Sequence, residues 1–275
     1  MKTKVIKSML LKFHWFISNQ VGINIFKFFR FIPYLFLFFR DYILFKREVR
    51  RLGLRSCVRL LPCLHDKNEE AGVTKSEYFW QDLFVARSIF ESKPQRHVDI
   101  GSRVDGFVSH VASFREIEVF DVRPISSQIP GIVFRKADLM TLDILSTSKW
   151  SGYCDSLSCL HAIEHFGLGR YGDPLNPEGY RVGLKNMIRL LSPGGIFYLS
   201  TPIGRERVEF NANWVFDPRK IILIATENRL RLDRLTIYSR EYGVQEIPLN
   251  ETNIDELAAA DYHLGVFTFI KQVEN

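Results

Sequence analysis

Cysteine is scarce in this chain, with four residues in 275. Cys57, Cys63, Cys154 and Cys159 form no C-x-x-C pair, and no histidine stands at zinc-finger spacing from them. That argues against a zinc module and against a disulfide framework, and leaves reduced core thiols of a cytosolic protein as the expectation. Low-complexity linkers and internal repeats are also missing, which argues against repeat architectures. The aromatic run Phe31–Phe39 is closed by Arg30 and Arg40, and a spanning helix needs ~20 mostly apolar residues. Widening that window back to Val21 brings in Lys27 and Arg30, both costly at a bilayer centre. No small-residue cleavage site follows, so a signal peptide is not expected.

Basic and aromatic residues are abundant, and both are concentrated at the N-terminal end. Residues 1–55 hold twelve Lys and Arg against Asp41 and Glu48, while the whole chain carries only +6. The remainder is therefore net acidic. Ten of the Phe and Tyr residues fall between Phe26 and Phe45. A basic, aromatic helix of this kind suits an anionic membrane surface. Packing on the domain or dimerisation is the plain alternative. No recognised nucleic-acid motif is present, so nucleic acid is not expected as a partner, and the sequence does not define an oligomeric state. The expected organisation is a helical extension over 1–55, a loop and helix over 56–95, and an α/β domain over 96–275. The expected location is cytoplasmic, peripheral on the inner face of the membrane.

From Ser76, a plausible N-cap, the apolar residues Phe79, Leu83, Ala86 and Phe90 recur as one helix face. Strands are predicted at His97–Ile100, Ile117–Phe120, Ile132–Arg135, Tyr153–Cys159 and Ile196–Ser200, with later ones at Leu235–Tyr238 and Val266–Ile270. A helix is expected after Gly106, ending near Arg115. Another puts Leu184, Met187, Ile188 and Leu191 on one face, and Ser192-Pro193-Gly194-Gly195 turns the chain into the fifth strand. Alternation of this kind specifies a doubly wound, mostly parallel sheet, here with seven strands.

Chemistry concentrates where the strands end. His97-Val98-Asp99-Ile100-Gly101-Ser102 is an apolar strand running into an acid and a glycine loop, the setting in which open parallel sheets bind nucleotide-like ligands. Asp121 ends the second strand some twenty residues on, where a carboxylate accepts both ribose hydroxyl protons. Asp138 and Leu139 follow the third. After the fourth, His161, Glu164 and His165 share a helical face. His161 stands nearest the strand end and is the candidate general base on a hydroxyl, with Glu164 beside it and the His65-Asp66 pair of the upstream loop as a reserve. His165 is expected to be a buried, hydrogen-bonded structural residue. No third-ligand pattern for a metal accompanies them. The loop Phe166–Gly179 is long for this type of connection. It is expected to be an acceptor lid, with Arg170, Tyr171 and Asp173 facing the substrate.

The segment Asp155–His165, followed by Leu191-Ser-Pro-Gly-Gly-Ile-Phe-Tyr-Leu-Ser200, resembles the class I S-adenosylmethionine-dependent methyltransferases. The likeness covers roughly 96–272. More narrowly, the chain is similar to an uncharacterised subgroup found in nematodes and in bacterial surface-polysaccharide gene clusters. The resemblance implies a Rossmann-like fold and S-adenosylmethionine as cofactor. It implies that Asp99, Gly101 and Ser102 lie at the methionine portion, Asp121 at the ribose, and Asp138 and Leu139 at the adenine. The second and third glycines of the family pattern are Arg103 and Asp105 here, with a glycine displaced to Gly106. Arg103 either fills cofactor space or turns outward to an anionic acceptor.

The expected function is O-methylation of a sugar or glycan in surface-polysaccharide biosynthesis. The alternative is a non-catalytic binding or scaffold protein at the membrane surface. A nicotinamide-dependent sugar enzyme is disfavoured by the H-x-x-E-H and P-G-G segments and by the missing tyrosine–lysine pair of short-chain reductases.

Overall fold

A computed structural model describes residues 18, 22, 25–55, 57–64, 69–141, 150–239 and 243–273. The His65-Asp66 pair lies outside them. Two compact units are present, 1–73 and 74–275.

The first unit contains helix α1, Ile25–Arg51. Among the described residues no helix is long and apolar enough to cross a membrane. Ile32, Phe36, Phe39 and Ile43 recur at helical spacing on α1, and all four are exposed. Pro33 sits inside the helix, and Arg50 and Arg51 close its last turn.

The second unit is built on one eight-stranded sheet. Its strands are β1 (His97–Ile100), β2 (Ile117–Asp121), β3 (Ile132–Lys136), β4 (Cys154–Leu160), β5 (Leu191–Ile203), β8 (Leu230–Ser239), β9 (Gly243–Ile247) and β10 (His263–Lys271). The short strands β6 (Arg207–Glu209) and β7 (Asn213–Val215) form a separate hairpin. The sheet order is β3-β2-β1-β4-β5-β10-β8-β9. β1 to β5 pair in parallel, and β10 runs antiparallel to both β5 and β8. Reversal of order at β1/β4 creates the crevice at which such sheets bind ligands.

The expected doubly wound, mostly parallel sheet is present with one strand more than expected, because β9 adds antiparallel to the outer edge of β8. β1 and β4 are almost wholly buried, as strands covered on both faces must be. The Ser192–Gly195 turn is a bulge within β5. Cys154 pairs with Leu191 and Ser156 with Ile196, so those four residues loop out of the ladder.

Helices α2 (Glu77–Ser92), α3 (Ser109–Ala112), α4 (Gly179–Leu190), α5 (Pro218–Glu227) and α6 (Glu251–Ala259) complete the unit. α4 buries Leu184, Met187 and Ile188 as its period requires, but Leu191, expected on the same face, lies beyond the helix end as the first residue of β5. Ser76 caps α2, its side chain accepting from the Tyr78 N–H. The face of α2 is a correction. Phe79, Leu83 and Phe90 are exposed, while Gln81, Asp82, Val85, Ala86 and Ile89 are buried. The inner face carries polar residues with partners in the core, so hydrophobic periodicity pointed outward. The helix after Gly106 is also shorter than expected. A wide turn over Val104–Val108 leads into α3, which ends at Ala112.

Candidate functional site

β1, β2, β3 and β4 all end at one cavity of about 520 Å³, within the size range of ligand pockets. Ile100, Phe120, Phe134 and Ala137 give it an apolar wall. Gly101, Ser102, Arg103, Asp121, Asp138, Leu139, His161, Arg170, Tyr171 and Asp173 all line it. Asp99 and Glu164 do not. They stand fully buried behind the lining and orient what faces the cavity.

Asp99 holds the loop that follows β1. Its carboxylate accepts from Ser102 N at 3.0 Å, Ser102 Oγ at 2.6 Å and Ser158 Oγ at 2.6 Å. Ser102 Oγ in turn accepts from Leu160 N at 3.1 Å. Burial pushes Asp99 up to about 7, against the pull of the two serines. Gly101 turns the chain at φ +70°, where a Cβ would meet Ala162 Cβ at 3.0 Å. This brings backbone rather than a side chain to the cavity. Gly106 has a different role. A Cβ there would stand 2.6 Å from Asp82 Oδ2, so the displaced glycine lets α2 close onto the loop.

Asp121 is engaged by a residue that sequence reasoning missed. Arg123 Nη2 donates to Asp121 Oδ2 at 2.6 Å, and its Nε to Oδ1 at 3.0 Å. Arg123 Nη2 also reaches Gly101 O at 3.2 Å, and the guanidinium lies 4.6 Å from the Tyr171 ring. A cation two residues after the acid is the signal that was available. Arg103, by contrast, pairs with Asp105 at 2.7 Å on the exposed rim. Asp138 Oδ1 accepts from Met140 N at 2.8 Å, and Leu139 O is held by Asn186 Nδ2 at 2.8 Å.

His161 sits directly after β4 with φ +50°, a strained value for a side-chain-bearing residue. Its N–H donates to Ser200 Oγ at 3.2 Å, and Ser200 Oγ donates to Gln81 Oε1. Gln81 Nε2 then donates to Asp82 Oδ1 at 3.0 Å. This buried chain of bonds ties the strained residue to α2, and Gln81 and Asp82 were absent from the sequence expectations. Burial raises Asp82 to about 6 despite its bond from Gln81.

The His161 ring packs on Tyr78 at 4.5 Å. Its Nδ1 bonds Glu164 Oε1 at 2.7 Å, and its Nε2 stands 3.5 Å from Glu77 Oε1. That second approach lacks hydrogen-bond geometry, so Nε2 is buried without a hydrogen bond. Burial opposes charge on the ring, but Glu164, Glu77 and Asp82 outweigh it and hold His161 above the usual histidine value. The same pairing holds Glu164 low against its own burial. A carboxylate on Nδ1 that leaves Nε2 for another group is the geometry of an oriented acid–base histidine.

His165 differs. Its Nδ1 donates to Ala212 O at 2.7 Å, beside β7, and burial lowers its pKa. The 166–179 loop is stitched internally. Asp173 accepts from the N–H groups of Gly167, Gly169 and Tyr171. Asp173 therefore shapes the loop, while Arg170 donates to Ala212 O at 2.9 Å and Tyr171 lies against Arg123. Among the described residues no His, Cys, Asp and Glu group is arranged to hold a metal ion.

The family model described as "Caenorhabditis protein of unknown function, DUF268" matches residues 134–263. No curated protein matches the chain. Several solved structures are similar to it. One is Burkholderia thailandensis 1,6-didemethyltoxoflavin-N1-methyltransferase with bound 1,6-didemethyltoxoflavin and S-adenosylhomocysteine, at 12% identity and TM-score 0.48, over 73% of this chain and 80% of that one. Another is N-methyltransferase NodS from Bradyrhizobium japonicum WM9 with S-adenosylhomocysteine, at 16% identity and TM-score 0.47, over 70% and 85%. A third is a Haemonchus contortus phosphoethanolamine N-methyltransferase with phosphomonomethylethanolamine and S-adenosylhomocysteine, at 11% identity and TM-score 0.47, over 76% and 60%.

Proposed function

We propose that this chain is an S-adenosylmethionine-dependent methyltransferase acting on a hydroxyl of a sugar or glycan, with surface polysaccharide as its biosynthetic setting. One observation carries the reading. Four consecutive parallel strands deliver a positive-φ glycine turn, two strand-end acids and a carboxylate-oriented histidine, in that order, to one 520 Å³ cavity.

The residues fit the cofactor. Gly101 offers backbone to the methionine portion, Asp121 a carboxylate to the ribose hydroxyls, and Asp138 and Leu139 flank an apolar slot for adenine. When bound, the cofactor supplies an electrophilic methyl group. The chain's own residues hold the acceptor and take its proton: His161 receives it at Nε2, and Glu164 stabilises the imidazolium from Nδ1.

The exposed apolar stripe on α1 and the basic residues of 1–55 support the further proposal that the protein works at an anionic membrane surface, on its cytoplasmic side. A second reading, a binding protein without turnover, is favoured by one feature. Asp121 is already paired with Arg123, so a ligand must compete for it.

The test is calorimetry of the full chain. S-adenosylhomocysteine is expected to bind at micromolar Kd, about −8 kcal/mol. Asp121→Ala is expected to weaken it by roughly 1–3 kcal/mol through lost charge-assisted bonds. A folded protein that binds a dinucleotide and not S-adenosylhomocysteine would sink the reading.

A further inference from the structure

A second cavity of about 450 Å³ opens at the N-terminal end of α2. Lys75, Glu77, Tyr78, Tyr238, Tyr262 and His263 border it. Tyr78 is a wall common to both cavities. Glu77 connects the second cavity to His161. Its Oε1 accepts from the Tyr262 hydroxyl at 2.8 Å and stands 3.5 Å from His161 Nε2. That nitrogen is buried and makes no hydrogen bond, on a side chain only 4% exposed. The resemblance that suggested a cofactor site assigned no role to any residue of this cavity.

We propose that this cavity is the acceptor subsite of the transfer described above, and that it takes a neutral, polyhydroxylated ring. The assignment rests on that functional reading. Three tyrosines offer flat apolar faces ending in hydroxyls, which suit a ring with one C–H face and a polar edge. Glu77 accepts hydrogen bonds and Lys75 donates them, matching hydroxyls that do both. Lys75 and Glu77 carry opposite charges, so together they give the cavity no net preference for an ammonium or a phosphate and leave hydrogen bonding to choose the acceptor. Glu77 is a positioning residue here. It steers one ring hydroxyl toward His161 Nε2, which stands 3.5 Å from Glu77 Oε1 and makes no hydrogen bond. As the new C–O bond forms, the acceptor O–H breaks and its proton passes to Nε2. The C–S bond of the donor breaks with its electron pair left on sulfur.

The experiment uses the full chain and saturation-transfer NMR. The probes are glucose, galactose, mannose, fucose and N-acetylglucosamine, with choline and glucose 1-phosphate as charged controls. S-adenosylhomocysteine affinity is measured on the same samples. At least one neutral sugar is expected to receive saturation. Glu77→Gln and Tyr262→Phe are each expected to reduce that signal at least five-fold while S-adenosylhomocysteine affinity stays within two-fold. Tyr262→Phe removes one hydroxyl from a ring that is 40% exposed, so it keeps the fold if Glu77→Gln does not. In turnover with the sugar that binds, Glu77→Gln is expected to raise KM more than it lowers kcat. The proposal is overturned if no neutral sugar binds, if choline or glucose 1-phosphate binds instead, or if both variants leave the signal unchanged while S-adenosylhomocysteine still binds. Loss of S-adenosylhomocysteine binding by the wild-type chain overturns the functional reading, and the acceptor assignment with it, whatever the sugars do.

Discussion

Removing Arg123 should tighten cofactor binding, against the usual direction for an arginine in a ligand cavity. The Arg123 guanidinium makes three charge-assisted bonds to Asp121, at 2.6, 3.0 and 3.2 Å, and one to Gly101 O at 3.2 Å. If Asp121 is to accept two ribose hydroxyls, the ligand must displace at least part of that fork. The Arg123 side chain is 41% exposed against 8% for Asp121. Solvent therefore screens the pair on one side, and its net worth belongs near the surface-pair range of about 1 kcal/mol rather than the buried range. Releasing a competitor of that size corresponds to roughly five-fold tighter binding.

The same substitution leaves a nearly buried carboxylate with the backbone N–H of residue 123, at 2.8 Å, in place of the guanidinium fork, so the fold should lose about 1–2 kcal/mol. For a unit of this size that is a fall in Tm of several degrees. Arg123→Ala thus separates two quantities that normally move together: lower Tm for the free chain, lower Kd for S-adenosylhomocysteine. Calorimetry and thermal melts on one preparation read both. A Kd that rises with Arg123→Ala to the extent that it rises with Asp121→Ala would refute the reasoning and make Arg123 part of the ligand grip. Arg123→Lys should lie between the alanine variant and the wild type, because an ammonium group cannot reproduce the bidentate fork.

His161→Ala should lower turnover by ~10²-fold or more with little change in S-adenosylhomocysteine affinity, and full turnover would move the base elsewhere. A base must be neutral, and His161 is held above its ordinary value, so kcat should rise with pH through a midpoint above about 6.5. Glu164→Gln removes the carboxylate that most opposes burial, so that midpoint should move down. The stability that His161 draws from its carboxylates should be complete below the unfolded histidine pKa and fade as pH rises through the higher folded one, which melts of wild type and His161→Ala across that window would read. Gly106→Ala should destabilise by roughly 1–3 kcal/mol, because its methyl group would press into Asp82; an unchanged Tm would show that α2 does not close on the loop there. The full chain should sediment with anionic vesicles and be released as salt rises, since exposed charges are screened over ~10 Å at 0.1 M, and equal sedimentation with neutral vesicles would remove the electrostatic claim.

What was legible in the sequence and what was not divide along a physical line. The strand-end placement of Gly101, Asp121 and Asp138 at the cavity, and of Asp99 buried behind it, was readable because each belongs to a local pattern, a short apolar strand ending in a polar residue or a glycine. Sheet topology then needs only short, right-handed connections to bring those ends together. The contribution of α2 was not readable by the same logic. Its apolar period led to Phe79, Leu83 and Phe90, which face outward, while Tyr78, Gln81 and Asp82 face inward. Hydrophobic periodicity assumes that the buried face is the apolar one, and that fails where a helix buries polar groups to hold a site. The failure was itself informative. A helix that exposes phenylalanines and buries a glutamine and an aspartate has a local preference in conflict with its fold, and such conflicts concentrate at functional places. The buried polar residues of α2 account for the conflict. Gln81 fixes Ser200, which receives the N–H of a histidine at φ +50°, and Asp82 occupies the space that Gly106 leaves open. Two positions on different loops, the strained His161 after β4 and the closely packed Gly106 after β1, therefore meet adjacent residues of one helix. Any movement of α2 relative to the sheet would disturb the loop after β1 and the histidine together.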